Sequence, residues 1–482
     1  MKKIFLVAAL IFCAANANAK LSLRSVFSDG MVLQQNTGAA IWGEADANAE
    51  ISIKTSWAAR PWKIRADENG IWKASIPTCG ASYVPQTITV RSNKEEISIK
   101  DVLIGEVWFA SGQSNMEMPV SGFFNCPVEN AVEVISNAPG KDNVRMFTVK
   151  KTQSYEPLDD VVAGEWKGAE PANIAGMSAT AFFFARKLNQ VLDVPVGIIL
   201  SAYGGARVES WTPKDILETY PDEKLSKEEV EKTQEWIRPY LAYNAMLNPL
   251  RGYTIKGFIW YQGCSNVGKH GQFVERMSNM VNRWREEWND KNATLPFYQV
   301  EIAPCETYGG NRTVSPGALL RQAQHDAAHK IPNSAIVVTN DLVDQYEYWN
   351  IHPSKKQPVG ERLAYLALNR DYGQSGIPCY SPEAISVQRL SDDGEIGIEL
   401  SGCEWNGLNR TKEIESLEVR GEDGIWHEVK EAEYSWDKKV LVVKSDKVSK
   451  PVEVRYGWGD FRPGNLKAWT GLPVSPFDLK ID

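Results

Sequence analysis

The stretch VLIGEVWFASGQSNM, Val102 to Met116, decides how this chain folds. It opens as an apolar run, Val102 to Ala110, and closes in a polar cluster, Ser111-Gly112-Gln113-Ser114-Asn115-Met116. Four further apolar runs follow it: Val194 to Leu200, Ile255 to Tyr261, Pro296 to Ile302 and Ala335 to Thr339. Amphipathic segments separate or follow them, Ser178 to Leu192, Phe273 to Trp288, Leu319 to Lys330 and Val359 to Arg370. Continuous apolar strands alternating with helices predict an α/β region with a largely parallel sheet covered on both faces. The charged stretch Asp215 to Trp236 reads as a surface helical insertion.

On either side the pattern changes. Residues 20–100 carry short alternating runs such as Ile51-Ile53-Thr55, broken by turn clusters such as Asp67-Glu68-Asn69-Gly70. They predict a small β-sandwich. Beyond about residue 375 alternation returns. Ile385 and Val387, then Ile396, Ile398 and Leu400, flank Asp392-Asp393-Gly394 and predict a hairpin in a C-terminal β module. The expected division is 1–19, 20–100, 101–375 and 376–482. The first segment reads as an export signal: Lys2 and Lys3, an apolar run from Ile4 to Ala15 too short to span a bilayer, and Ala17-Asn18-Ala19 as a cleavage site. The expected product is a soluble periplasmic or secreted chain with no membrane insertion.

The bulk composition narrows the function. Of 482 residues, 43% are hydrophobic and 24% charged, which is ordinary for a globular protein, and the length calls for two or three domains. The net charge of -8, with no basic run, argues against nucleic acid as a partner. Six cysteines follow the signal, and their spacing fits no zinc pattern. Cys379 with Cys403 is the one candidate bridge.

Polar clusters sit at the ends of four strand candidates. After Ser111–Met116 come Ser201-Ala202-Tyr203-Gly204-Gly205, then Gln262-Gly263-Cys264-Ser265-Asn266, then, past a loop, Asn350-Ile351-His352-Pro353. Ligands bind at the carboxyl ends of strands in such sheets, so the clusters converge. Their chemistry suits acyl transfer. Ser114 is a nucleophile if a base takes its proton. Backbone N–H groups at Ser114 and Gly205 and the amide of Asn266 suit a developing oxyanion. The chain has five histidines. His325 and His329 read as a solvated helix face, and His352 alone lies past a strand end, which makes it the general base. No metal or cofactor is required. The string around Ser114 is not G-x-S-x-G, so the nucleophile elbow of α/β-hydrolases is not the template.

These four clusters, in this order, resemble the SGNH hydrolase superfamily. The strings Gly112-Gln113-Ser114-Asn115-Met116, Trp260-Tyr261-Gln262-Gly263 and Ile351-His352-Pro353, with Val359-Gly360 and Arg362-Leu363-Ala364, look like the sialate O-acetylesterase branch. Phe27-Ser28-Asp29-Gly30-Met31 and Gly471-Leu472-Pro473-Val474 extend the resemblance over nearly the whole mature chain. It implies a three-layer α/β/α domain with accessory β domains, and an O-acetylated carbohydrate, typically a sialic acid, as substrate. It implies Ser114 as nucleophile, His352 as base, and Gly205, or Gly204 beside it, with Asn266 as oxyanion donors. Two departures stand out: relatives often have Glu where Cys264 stands, and an acidic residue shortly before the His, where this chain has Asn350. Asn350, Asp341 or Asp344 could orient the imidazole, as could a backbone carbonyl in a Ser–His dyad. Gln262 and Arg207 are candidate substrate contacts, Arg207 for a sialate carboxylate. Other readings are an acetyl-xylan or other polysaccharide esterase, and a non-catalytic carbohydrate-binding protein.

Overall fold

A computed structural model describes residues 20–311, 314–403, 407–409 and 413–481. The expected signal segment, residues 1–19, lies outside the described residues. The centre is a seven-strand path in a mixed sheet. Its order is Trp166–Ala169, Gly140–Thr148, Val196–Ala202, Glu95–Gly112, Gly257–Tyr261, Phe297–Val300 and Ser334–Val337. From Gly140–Thr148 to Ser334–Val337 every neighbouring pair is parallel, and Trp166–Ala169 closes the edge antiparallel.

Alternating side chains build one core on each face of this sheet. Val107 and Phe109, with Phe258 and Trp260, point to one core. Trp108 and Ala110, with Ile259 and Tyr261, point to the other. Helices His270–Glu287 and Pro316–Lys330 cover the first face, and Ala179–Leu192 and Lys356–Asp371 the second. A sheet buried on both sides explains why Val196–Ala202 has no exposed residue, and why its sequence does not alternate. Helix Ala179–Leu192 starts where Ser178 caps it, the hydroxyl accepting from Ala181 N–H at 3.1 Å.

The strand Glu95–Gly112 runs through the expected boundary near residue 100. Its first half pairs antiparallel with Ser82–Ser92, and its second half is the middle of the parallel sheet. Asp101, at φ 54°, marks the change of direction. A separate three-stranded sheet of Ser22–Leu23, Gly38–Glu44 and Ile71–Pro77 completes the N-terminal β layer. Beyond helix Lys356–Asp371, two four-stranded antiparallel sheets share a core around Leu417, Val443 and Val454. The hairpin expected near residue 393 is present as Ala384–Arg389 against Ile396–Leu400.

Two expectations are corrected here. Cys379 and Cys403 are each buried in a different core and form no bridge with one another. His325 is not on a solvated face. It is 7% exposed, with Nε2 2.8 Å from Glu301 and Nδ1 3.6 Å from Glu383. Burial alone would lower its pKa, but these two carboxylates outweigh it and hold the imidazole up at about 9. Among the described residues no helix is long and apolar enough to cross a membrane.

Candidate functional site

The register levels the strand ends that carry the polar clusters. Ala202 and Tyr261 both lie opposite Gly112. Tyr203 N–H donates to Gly112 O at 3.1 Å, and Gln113 N–H to Tyr261 O at 2.9 Å. Gly112, at φ 138°, has no room for a side chain, because a Cβ would overlap the Tyr261 carbonyl. This close approach turns the chain sharply into the short helix Ser114–Glu117 and leaves the Ser114 hydroxyl half-exposed at its start.

His352 arrives from the other end of the domain. Its Nε2 lies 2.7 Å from Ser114 Oγ. The loop that carries it is fixed at the backbone. Asn350 Oδ1 accepts from His352 N–H and Asn350 Nδ2 donates to His352 O, each at 2.9 Å. The Cys126 thiol donates to the same Oδ1 at 3.3 Å. Phe123 packs edge-on against the imidazole, ring centres 5.3 Å apart. No carboxylate hydrogen-bonds to the ring among the described residues. Asn350 therefore grips the main chain of His352 and not its ring.

Asp341 lies elsewhere. Its carboxylate is engaged by Arg362 at 2.7 and 2.8 Å and by Lys467 at 2.9 Å. Burial raises its pKa, but Arg362 and Lys467 outweigh that and hold it below the ordinary carboxylate range. Asp344 pairs with Lys355 and caps the turn Gln345–Glu347.

A buried lysine stands beside the pair. Lys356 is 1% exposed and donates to Asn115 Oδ1 at 2.6 Å. Asn115 Nδ2 in turn donates to Ile351 O at 2.9 Å, tying the Ser114 turn to the histidine loop. Burial pushes Lys356 down to about 7. Burial, and then the Lys356 charge, push His352 down to about 4. The imidazole is thus neutral across the ordinary pH range, and neutral imidazole is the form that can accept a proton.

The remaining clusters face the same edge. The Cβ position of Gly204 is 3.6 Å from Ser114 Cβ. Gly204 N–H is already donated to the Glu117 carboxylate at 2.8 Å, whereas Gly205 N–H has no acceptor among the described residues. Gly205 sits at φ 80°, a region that glycine enters without strain. Asn266 is 1% exposed, and its amide is locked. Nδ2 donates to Glu209 at 3.0 Å, and Oδ1 accepts from Gln262 at 2.7 Å and Val208 N–H at 3.2 Å. One Nδ2 proton remains uncommitted.

Gln262 is fully buried, so it braces Asn266 and cannot meet substrate directly. Arg207 is half-buried, with Nε given to Ser265 O at 2.9 Å. Cys264 holds a neutral thiol, pushed up to about 11 chiefly by burial, beside Tyr308 at 3.4 Å. It puts no charge where a glutamate would.

Sequence reasoning missed Glu209, Arg276 and Lys356. Glu209 is 2% exposed and joins Asn266 to Arg276, which also binds Asp222 and Glu223 at 2.6 Å each. Charged residues of these types are ordinary on surfaces, and only their burial distinguishes them. Lys356 had one legible cue, its place at the start of the helix that follows His352.

Comparisons with known proteins identify the family. The sequence profile of a carbohydrate esterase family, the sialic acid-specific acetylesterases, matches residues 104–369. Sialate O-acetylesterase from Mus musculus is 26% identical over 82% of each chain, and that from Homo sapiens 26% identical over 81% of this chain and 78% of its own. The crystal structure of a carbohydrate acetylesterase from Xanthomonas citri superposes with a TM-score of 0.83 at 31% identity, covering 95% of this chain and 99% of that one. The chain belongs to the sialic acid-specific acetylesterase family of carbohydrate esterases and is a carboxylic ester hydrolase.

Proposed function

We propose that the protein removes O-acetyl groups from sugars by a Ser114–His352 dyad through an acetyl-enzyme. The observation that carries this reading is the 2.7 Å approach of His352 Nε2 to Ser114 Oγ. For Nε2 to accept, the imidazole proton sits on Nδ1. As Ser114 Oγ attacks the acetyl carbonyl, its proton passes to Nε2, and the carbonyl oxygen becomes an oxyanion. Three donors suit that oxygen: Ser114 N–H, Gly205 N–H and the free Nδ2 proton of Asn266. Collapse expels the sugar oxygen, which takes the proton from Nε2. Water then gives a proton to Nε2, attacks the acetyl-enzyme and releases acetate, and Ser114 recovers its proton.

His352 forms transiently as a cation without a carboxylate partner. Asn350 keeps its loop in place. The substrate class rests on the family and on its relatives' names, which favour O-acetylated sialic acids. The Xanthomonas citri structure, named a carbohydrate acetylesterase, supports a second and broader reading, an acetyl ester of a carbohydrate other than sialic acid. A purely binding role is disfavoured by the 2.7 Å approach of His352 Nε2 to Ser114 Oγ, which binding alone would not need.

Export is part of the same proposal. It rests on the Lys2-Lys3 start, the short apolar run and Ala17-Asn18-Ala19. N-terminal sequencing of the mature chain is expected to begin at Lys20; an intact Met1 would contradict it.

The test is Ser114→Ala with a panel of defined acetylated sugars. Loss of at least a thousandfold in kcat, with unchanged folding, is expected from removal of a covalent nucleophile. Retained turnover by a well-folded variant contradicts the assignment.

A further inference from the structure

An acetyl group offers little surface to hold, so binding energy for such an ester must come largely from its alcohol. The insertion Asp215 to Trp236 places one group where that alcohol would emerge. Trp236 is 46% exposed, and its Cγ lies 2.7 Å from the position a Cβ would take on Gly205. Gly205 follows Gly204, whose own Cβ position is 3.6 Å from Ser114 Cβ. Successive Cα atoms are about 3.8 Å apart, so the glycine beneath the indole is the residue next to the one packed on Ser114.

This aromatic is held in place. Tyr203, from the second polar cluster, donates its hydroxyl to the Glu235 carboxylate at 2.9 Å. Gln153 Nε2 donates to Glu235 O at 2.7 Å. Farther back, the insertion is stitched to helix His270–Glu287, by Arg276 to Asp222 and Glu223 at 2.6 Å each and by Arg283 to Asp215 at 2.6 Å. Scattered exposed aromatics are common and need no explanation. One whose preceding residue is hydrogen-bonded through both side chain and carbonyl, and which lies against the glycine beside the nucleophile, is a different case.

We propose that Trp236 is a specificity-determining residue, the platform on which the sugar ring of the ester stacks. A pyranose presents an apolar C–H face, and an indole offers a broad rigid surface with an electron-rich face. The inference rests on the reading of this site as a sugar acetylesterase. It goes beyond that reading by naming the residue that selects the alcohol.

The experiment compares kcat/KM on an acetylated oligosaccharide with that on ethyl acetate, whose alcohol has no ring, in Trp236→Ala and Trp236→Phe. The ratio of sugar ester to ethyl acetate is expected to fall at least tenfold in Trp236→Ala, mainly through a higher KM for the sugar ester. Trp236→Phe is expected to recover most of the ratio. An unchanged ratio in Trp236→Ala overturns the proposal. So does an equal fall on both substrates, which would mean Trp236 only props Gly205. A wild-type protein that hydrolyses ethyl acetate and no sugar ester would instead sink the functional reading itself.

Discussion

His352 meets Ser114 with no carboxylate on its ring among the described residues, and on the proposed mechanism the residues around it keep the ring a base. Asn350 holds the main chain on both sides, and Lys356 stands buried behind the loop. A histidine held down at about 4 stays neutral until strongly acid pH, so the acid limb of kcat/KM is expected well below 6.5. Lys356→Met removes the positive charge, so the limb is expected to move toward higher pH. A limb near 6.5 in the native enzyme would contradict the electrostatics described. The same shift bears on stability. Below pH 6.5 the unfolded chain takes up a proton that folded His352 refuses, so its contribution is present above 6.5 and lost as pH falls through about 4. Asn266→Ala is expected to lower kcat by roughly a hundred- to a thousandfold, as loss of one oxyanion donor does, in steady-state assays. Ser114, Gly205, Asn266 and His352 were legible because each follows a strand in a polar cluster. Glu209 and Trp236 were not, because their contacts come from residues distant in sequence, and Lys356 offered only its place four residues after His352. Spacing alone made Asp341 a candidate, and spacing says nothing about which cation reaches a carboxylate first.

Among the elements, the helices were the most legible, since their apolar positions recur at helical spacing and their strands are continuously apolar. Strands Gly140–Thr148 and Trp166–Ala169 escaped notice. The first opens Gly-Lys-Asp-Asn, the second is four residues with a shifted register at Gly168, and neither shows a clean pattern. The insertion expected to be helical contains only short helices, Lys214–Leu217, Lys227–Lys232 and the single turn Glu235–Ile237, held by a small apolar cluster around Leu217 and Val230 and by salt bridges to Arg276 and Arg283. Helices Ala179–Leu192 and Lys356–Asp371 meet at Gly360. A Cβ there would come within 2.6 Å of Phe183 Cβ and of Thr180 O, both on a packed, fully buried surface. Gly360→Ala is therefore expected to destabilise by about 1–3 kcal/mol, despite alanine's better helix propensity. Urea unfolding checks this, and a more stable variant would show that the helices can move apart.

At the scale of the whole molecule, the C-terminal β module is anchored to the catalytic domain by buried polar contacts. Asp460 accepts from Gly310 N–H at 2.6 Å and from Gly317 N–H at 2.8 Å, the latter at the start of helix Pro316–Lys330. Asp341 joins Arg362 of the catalytic domain to Lys467 of the module. Removing one member of a buried ion pair leaves the others uncompensated, so Asp341→Ala is expected to cost about 3–5 kcal/mol of stability. Its acid limb in kcat/KM is expected to stay where the native one lies; a limb moved as in Lys356→Met would return Asp341 to the site. These contacts could not be read from sequence, because parallel sheets and docked modules join residues far apart in the chain. The same folding brings His352 to Ser114, and that meeting is the central claim. Peptide mass mapping after treatment with a fluorophosphonate, which phosphonylates an activated serine with loss of fluoride and stops, tests it most directly. A single adduct on the Ser114 peptide is expected, formed at least a hundredfold more slowly in His352→Ala. Inactivation with the adduct on another residue, or full-rate labelling of Ser114 in His352→Ala, would contradict it.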